Sequence, residues 1–198
     1  MHFDPKPVTL EGRFVRLEPL AARHAEGLLA AARDPGIWTY MPVPQPESVG
    51  DVTRIIDEAL RGLATNAEVA FATVRRSDGV VVGSTRYIDI RRPHRALEIG
   101  WTWLAAEAQR TAVNTEAKYL MLRHAFETHG AVRVQLKTDE RNEKSRRAIL
   151  NLGAVFEGVL RNYQTRVYDD YVRNTAMYSV TPREWPDVKA RLEAKLLR

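Results

Sequence analysis

Residues 109–115, Gln109-Arg110-Thr111-Ala112-Val113-Asn114-Thr115, join a stretch that alternates like a strand to one that reads as a helix. A helix that starts after a short loop leaves its first backbone N–H groups unpaired and turns its positive dipole end on the same spot. Such a spot suits a pyrophosphate, and Gln109 and Arg110 add donors and positive charge. An ordinary strand-to-helix connection has the same outline. Asn142 is placed to cap the next helix, with Ser145 in its first turn. The remaining chemistry is limited. There is no cysteine, hence no disulfide, thiolate nucleophile or cysteine-based zinc site. His2, His24, His94, His124 and His129 show no metal-ligand spacing, so no metal is expected. His124 reads as a satisfied core histidine. The basic turn Arg91-Arg92-Pro93-His94-Arg95 reads as a solvated loop or as a dock for an acidic partner or RNA.

The elements that must position these residues follow from periodicity and punctuation. Val8 to Pro19 reads as one strand and Ala21 to Arg33 as a helix stopped by Asp34-Pro35-Gly36. Ile37 to Glu47, with Pro42, Pro44 and Pro46, reads as stiff and extended. Ser48 caps a second helix to about Leu63, with Asp51 in its first turn. Strands are expected over Glu68–Arg75, Val80–Ile90 and Ala96–Leu104, with a hairpin turn at Ser77-Asp78-Gly79. In the third strand, strict alternation puts Leu97, Ile99, Trp101 and Trp103 on one face and Glu98, Gly100 and Thr102 on the other. Thr115 to Thr128 reads as a central helix, apolar almost all round, whose polar stripe is Glu116, Arg123 and Glu127. A strand over Val132–Lys137, a helix over Asn142–Leu152, strands over Val155–Val167 and Tyr171–Val180, and a basic helix from about Pro186 complete the order. The fold class is therefore α/β (α+β), with a mixed, mostly antiparallel sheet of about six to seven strands and helices on both faces.

The segment from Leu97 to Gly153 resembles the acetyl-CoA core of the GNAT superfamily, in particular its RimJ/RimL-like branch. The matching residues are EIGWTWL (Glu98 to Leu104), QRTAVNTEA (Gln109 to Ala117), Asn142 with Ser145, and LGAVFEGVLR (Leu152 to Arg161). The resemblance covers nearly the whole chain and implies an N-acetyltransferase, for which the cysteine-free composition fits a cytoplasmic address. It would move acetyl from acetyl-CoA to a primary amine, either a peptide N-terminus or a small molecule. It further implies that Gln109, Arg110, Thr111, Ala112, Val113, Asn114 and Thr115 cradle the pyrophosphate. Asn142 and the backbone of Trp103 and Leu104 would meet the pantetheine arm. Glu98 is the candidate base, with a structural salt bridge as its other reading. Ser145 is the candidate acid toward the sulfur, with first-turn hydrogen bonding as its other reading. Trp38 and Tyr40 would wall the acceptor pocket or anchor the core. Resembling proteins often dimerise, so a homodimer is among the expectations.

The chain departs from the family pattern in three places. Ala112 and Asn114 stand at the loop's two glycine positions, and asparagine is the better suited of the two to left-handed geometry. Ile149 and Leu150 occupy the neighbourhood of a tyrosine common in the superfamily, and Gln164 stands where RimL-like enzymes carry a glutamate. These departures leave open a CoA-binding relative with little or no activity.

Bulk properties agree with a single globular domain of 198 residues, its last element the helix within 181–198. A chain of this length buries roughly 70% of its unfolded surface without staples. No apolar run approaches the ~18 residues that span a bilayer, so no membrane partner is expected. A net charge of +5 invites an anionic partner, which a polyphosphate cofactor satisfies. An RNA- or ribosome-binding module would satisfy it too, but the chain lacks that class's stacking platforms and named motifs.

Overall fold

Eight strands make one sheet in the order β1-β2-β3-β4-β5-β6-β8-β7 in the computed structural model, which describes residues 3–197. The strands are β1 (Leu10–Glu11), β2 (Val15–Pro19), β3 (Val69–Arg75), β4 (Val81–Arg91), β5 (Ala96–Leu104), β6 (Arg133–Asp139), β7 (Val155–Thr165) and β8 (Val172–Val180). All neighbours are antiparallel except β5 and β6, which are parallel because a helix carries the chain between them. The helices are α1 (Ala25–Ala31), α2 (Val49–Ala64), α3 (Ala112–Arg123), α4 (Glu143–Leu152) and α5 (Trp185–Leu196). Leu28 of α1 and Val52, Ile56 and Ala59 of α2 cover one face against Ala70 and Ala72. Leu120, Met121 and Leu122 of α3 and Leu192 of α5 belong to the larger core on the other, with Leu17, Phe71, Tyr87, Leu97 and Val134.

The expected mixed sheet with helices on both faces is present, but with eight strands rather than six or seven. The stretch from Val8 to Pro19 is not one strand: it breaks between β1 and β2, and the cause lies a hundred residues away. The Glu116 carboxylate accepts from the amides of Arg13 (2.7 Å), Phe14 (2.6 Å) and Val15 (2.7 Å). A side chain at Gly12 would collide with that carboxylate, its Cβ falling 2.3 Å from Glu116 Cδ. Glu116 is therefore buried and does not belong to a solvated polar stripe.

Two further expectations change. α3 begins at Ala112, three residues before Thr115, because Thr111 serves as its N-cap and accepts from the Val113 amide at 3.3 Å. The helix then continues through a π-helical turn, His124–Thr128. Alternation along β5 also fails at Trp101, whose φ of 51° makes a bulge. Before the bulge Leu97 and Ile99 face α3. After it Thr102 faces α3, hydrogen-bonded to Lys118, while Trp103 packs with the α1/α2 cluster. Trp101 lies over Arg86, the register partner of Gly100, at 4.2 Å. Trp101 and Trp103 thus share the face of Glu98 instead of opposing it. An extra residue in one strand shifts the period of two, and composition alone does not announce it.

Several turn and cap expectations hold. Ser48 and Asp51 form a capping box on α2, Gly79 takes φ 72° in the β3–β4 turn, and Gly153 takes φ 105° after α4. Pro186 sits in the first turn of α5, where its missing N–H costs nothing. The segment Ile37 to Glu47 is less extended than its prolines suggest, since it turns over residues 38–40 and the Met41 amide donates to the Trp38 carbonyl at 3.1 Å.

Lys118 is the least expected member of the core. Its Nζ donates to Thr85 Oγ1 at 3.1 Å and Thr102 Oγ1 at 2.5 Å, tying α3 to β4 and β5. Burial without a carboxylate brings its pKa from 10.5 down to about 7. The unfolded chain therefore holds a proton between about pH 7 and 10.5 that the folded chain lacks, so stability rises with pH across that window. Urea unfolding of the wild type is expected to show this slope. Lys118→Met should flatten it and gain about 2 kcal/mol at pH 8. A flat wild-type profile would show that the ammonium is not desolvated.

Candidate functional site

β5 and β6 pair at only three positions, Ala96↔Arg133, Leu97↔Val134 and Glu98↔Gln135. Beyond Glu98 the strands part, although β5 runs on to Leu104 and β6 to Asp139. The Trp101 bulge re-aims β5 at this point, and on its other side β5 stays paired with β4. That second contact is close. A Cβ on Gly83, which has φ 155°, would fall 2.1 Å from the Trp103 carbonyl oxygen. The Trp103 carbonyl is therefore directed at β4, not into the opening.

The N-termini of α3 and α4 meet at the mouth of the opening. Gln109 donates through Nε2 to the Leu104 carbonyl at 2.8 Å and accepts through Oε1 from Lys144 Nζ. Asn142 caps α4, its Oδ1 accepting from the Ser145 amide at 3.0 Å. Among the described residues the Ser145 hydroxyl has no hydrogen-bond partner, so it is its amide, not its Oγ, that serves the first turn. Asn142 and Ser145 thus lie across the opening from Gln109.

The run expected to hold a diphosphate divides into two kinds of residue. The Gln109 amide is used by Ala106 and the Val113 amide by Thr111. Among the described residues, the amides of Arg110, Thr111, Ala112 and Asn114 meet no acceptor in the chain. Four free amides at a helix start form a cradle that fits an oxyanion. Arg110, not Asn114, takes the left-handed conformation, with φ 61°. Ala112 and Asn114 sit inside the first turn of α3, where ordinary negative φ suffices. Beside them lies a cavity of about 640 Å³ lined by Arg13, Phe14, Arg75, Arg76, Ser77, Ala108 and residues 111–113. The three arginines of this cavity come from two distant strand ends and have no spacing that sequence reading can use.

On the face that carries Glu98 the opening has a charged floor. Glu98 is 1% exposed, and its Oε2 accepts from Lys137 Nζ at 3.0 Å and Gln135 Nε2 at 3.1 Å. Its Oε1 lies toward Gly100, where an added Cβ would approach to 2.8 Å. Tyr163 sets its ring 5.4 Å from Lys137 Nζ, while Gln164 is the cross-strand neighbour of Arg173. Above the floor runs the segment after α1. Trp38 is buried, donates to the Ala32 carbonyl at 2.9 Å and packs on Trp103 with ring centroids 5.2 Å apart. Tyr40 donates to the Arg141 carbonyl at 3.3 Å. Arg166 in the β7–β8 connection donates to the Thr39 carbonyl at 2.7 Å, closing a roof over the floor. Trp38 therefore anchors the roof from inside, and Tyr40 ties it to the end of β6.

Comparison with known proteins agrees with this architecture. A family model described as acetyltransferase (GNAT) domain matches residues 15–155. A solved GCN5-related N-acetyltransferase from Brucella melitensis superposes with a TM-score of 0.90 at 29% identity, over 96% of this chain and 86% of that one. Mycobacterium smegmatis RimJ, solved in complex with CoA-disulfide, shares the fold with a TM-score of 0.78 at 21% identity, over 98% and 97% of the two chains. The uncharacterized N-acetyltransferase YoaA of Bacillus subtilis is 24% identical over 169 residues, 85% of this chain and 94% of its own.

The left-handed arginine gives this site a direct test. Glycine pays no Cβ penalty at φ 61°, so Arg110→Gly should raise unfolding stability by about 1 kcal/mol, whereas Arg110→Ala should not. Equal stability of the two variants in urea would place Arg110 in an ordinary conformation.

Proposed function

The chain belongs to the acetyltransferase (GNAT) domain family, and from that membership we propose that it moves acetyl from acetyl-CoA to a primary amine by direct attack. The observation that carries this reading is the parting of β5 from β6 beside the free amides at the start of α3. An extended acyl carrier fits between the two strands with its diphosphate on Arg110, Thr111, Ala112 and Asn114. The binding of CoA-disulfide by RimJ, within the same fold, supports it. The net charge of +5 and the arginine-lined cavity beside the cradle favour a polyphosphate ligand. The RimJ/RimL-like branch is part of the same proposal.

In this reading the chain's own groups do four things. The α3 amides and Gln109 hold the carrier's charged end and one wall of the opening. Asn142, having capped α4, turns its remaining polar capacity toward the arm, beside the Leu104 backbone. Glu98 receives the amine proton through water at Oε1, the oxygen that Lys137 and Gln135 leave free. Ser145, with its unpartnered hydroxyl, donates toward the departing sulfur. With no cysteine in the chain, a covalent acetyl-cysteine step is excluded and the amine attacks the thioester carbon itself.

Incubation with acetyl-CoA and a panel of peptides and small amines, followed by thiol release, is expected to show acceptor-dependent turnover. Calorimetric binding of CoA without turnover on any acceptor would favour an inactive carrier-binding relative. Glu98→Gln should lower kcat by about 10²-fold and flatten the acidic limb of the pH profile. If it leaves kcat intact and lowers only the unfolding midpoint, Glu98 serves Lys137 as an ion-pair partner and nothing more.

A further inference from the structure

The floor of the opening holds one cation that neither the fold nor the acetyl transfer employs. Arg173, near the start of β8, is 9% exposed. Its Nε donates to Thr175 Oγ1 at 3.1 Å, which fixes the plane of the guanidinium. Among the described residues no acceptor is hydrogen-bonded to Nη1 or Nη2, and no carboxylate forms an ion pair with it. Among the described residues, the arginine nitrogens sealed from solvent without a hydrogen bond are the Nε atoms of Arg86 and Arg91, so the two Nη atoms of Arg173 still reach solvent.

A half-served guanidinium is unusual in so buried a position, because desolvation opposes its charge. Asp139 and Glu98 offset that cost electrostatically. Both carboxylates also serve other groups, although Asp139 Oδ2 is buried with no hydrogen-bond partner. Glu98 is paired with Lys137 at 3.0 Å, and Asp139 Oδ1 accepts from the Arg141 amide at 2.9 Å with Arg141 Nε at 3.5 Å. Three cations, Lys137, Arg141 and Arg173, therefore share two carboxylates, and one positive charge is left at the floor. Glu98 is the last β5 residue paired with β6, so part of the field at Arg173, after the larger share from Asp139 on β6, comes from the point where the strands part. A planar fork with two free arms matches a carboxylate or phosphate in bidentate fashion.

We propose that Arg173 is the anion clamp of the acceptor, so that the amine acetylated by this protein also carries a carboxylate or phosphate group. Its two Nη atoms grip that group beneath the roof formed by Trp38 to Met41 while the amine reaches the parted strands. The proposal rests on the acetyltransferase reading for the amine, but its anion-binding half can be measured without turnover.

The test is isothermal calorimetry on CoA-saturated protein with matched ligands: glycylglycine against glycylglycinamide, and 2-aminoethyl phosphate against ethanolamine. The anionic member of at least one pair should bind roughly 10- to 100-fold more tightly, and the pair that shows the difference identifies carboxylate or phosphate as the group. Arg173→Gln should abolish the difference without changing the affinity for CoA. Arg173→Lys, which keeps the charge but loses the fork, should keep only a minor part of it and decides the matter if the glutamine variant does not fold. Equal binding within both pairs, no binding of either anionic ligand, or an unchanged difference in Arg173→Lys and Arg173→Gln overturns the clamp. Kinetics with the same ligands separate the two readings. Preferential binding without any acetylation would sink the transferase reading and leave the clamp, and acetylation without preference would do the reverse.

Discussion

Everything at this site depends on two parallel strands being allowed to part. Backbone N–H and C=O groups that leave a ladder inside a protein must find other partners, or the sheet closes over them. Here the parting is held open from both sides of β5. The Trp101 bulge shifts its register against β4, and the bare Cα of Gly83 lets the Trp103 carbonyl come close. Gln109 reaches back to the Leu104 carbonyl and across to Lys144, so the side chain that accompanies the cradle also spaces the two helix starts. Trp103, turned by the bulge onto the Glu98 face, gives Trp38 something to pack on and so supports the roof. A regular β5 would lose the opening, the roof contact and the Thr102–Lys118 hydrogen bond together.

The order of elements was legible in the sequence because long amphipathic patterns and turn residues are local signals. The α2 capping box, the Gly79 turn, the Gly153 stop and the Pro186 start could each be read from a few adjacent residues. What could not be read were the contacts that act across the chain. The division of residues 8–19 into two strands is caused by Glu116, and Glu116 looks like a surface residue until its partners at Arg13 to Val15 are known. Lys118 carries no local signal for the same reason. The bulge at Trp101 was hidden by a stretch whose apolar alternation is formally perfect. Of the candidate site residues, Gln109, Asn142 and Ser145 are gathered at one mouth, while Ala112 and Asn114 proved to belong to the helix itself. That placement removes the need for glycine at either position, since the one left-handed residue of the turn is Arg110. Arg173 had no sequence signal at all, being one arginine among many.

The two faces of the sheet carry different chemistry, and the charges show it. On the α3 face the polar groups are consumed internally: Glu116 by three amides, Lys118 by two hydroxyls, Tyr87 by the Met121 carbonyl at 2.6 Å. On the Glu98 face β5, β6 and β8 hold a buried row of ionised groups whose pairing is incomplete by one cation. Unpaired charge at a buried position is costly, and its cost is tolerated where a ligand repays it. The surplus charge of the chain is therefore not spread evenly as a solubilising coat. Part of it lines the cavity next to the cradle, and part lies under the roof.

Helix α3 is where these features meet, and its position is set by polar contacts rather than by its apolar face. Leu120, Met121 and Leu122 would pack about as well if the helix slid along the sheet, because aliphatic surfaces are weakly directional. Glu116 and Lys118, two residues apart, point in different directions and find different partners, one on the β1–β2 turn and one on β4 and β5. A carboxylate bonded to three amides and an ammonium bonded to two hydroxyls admit almost no sliding. Fixing the helix along its axis fixes where its N-terminus ends, and so where the free amides of Arg110, Thr111, Ala112 and Asn114 lie relative to the parted strands. Both groups are expensive to bury, and hydrophobic residues would give a more stable helix–sheet interface. What they supply is position, and position is what a cradle made of backbone amides requires.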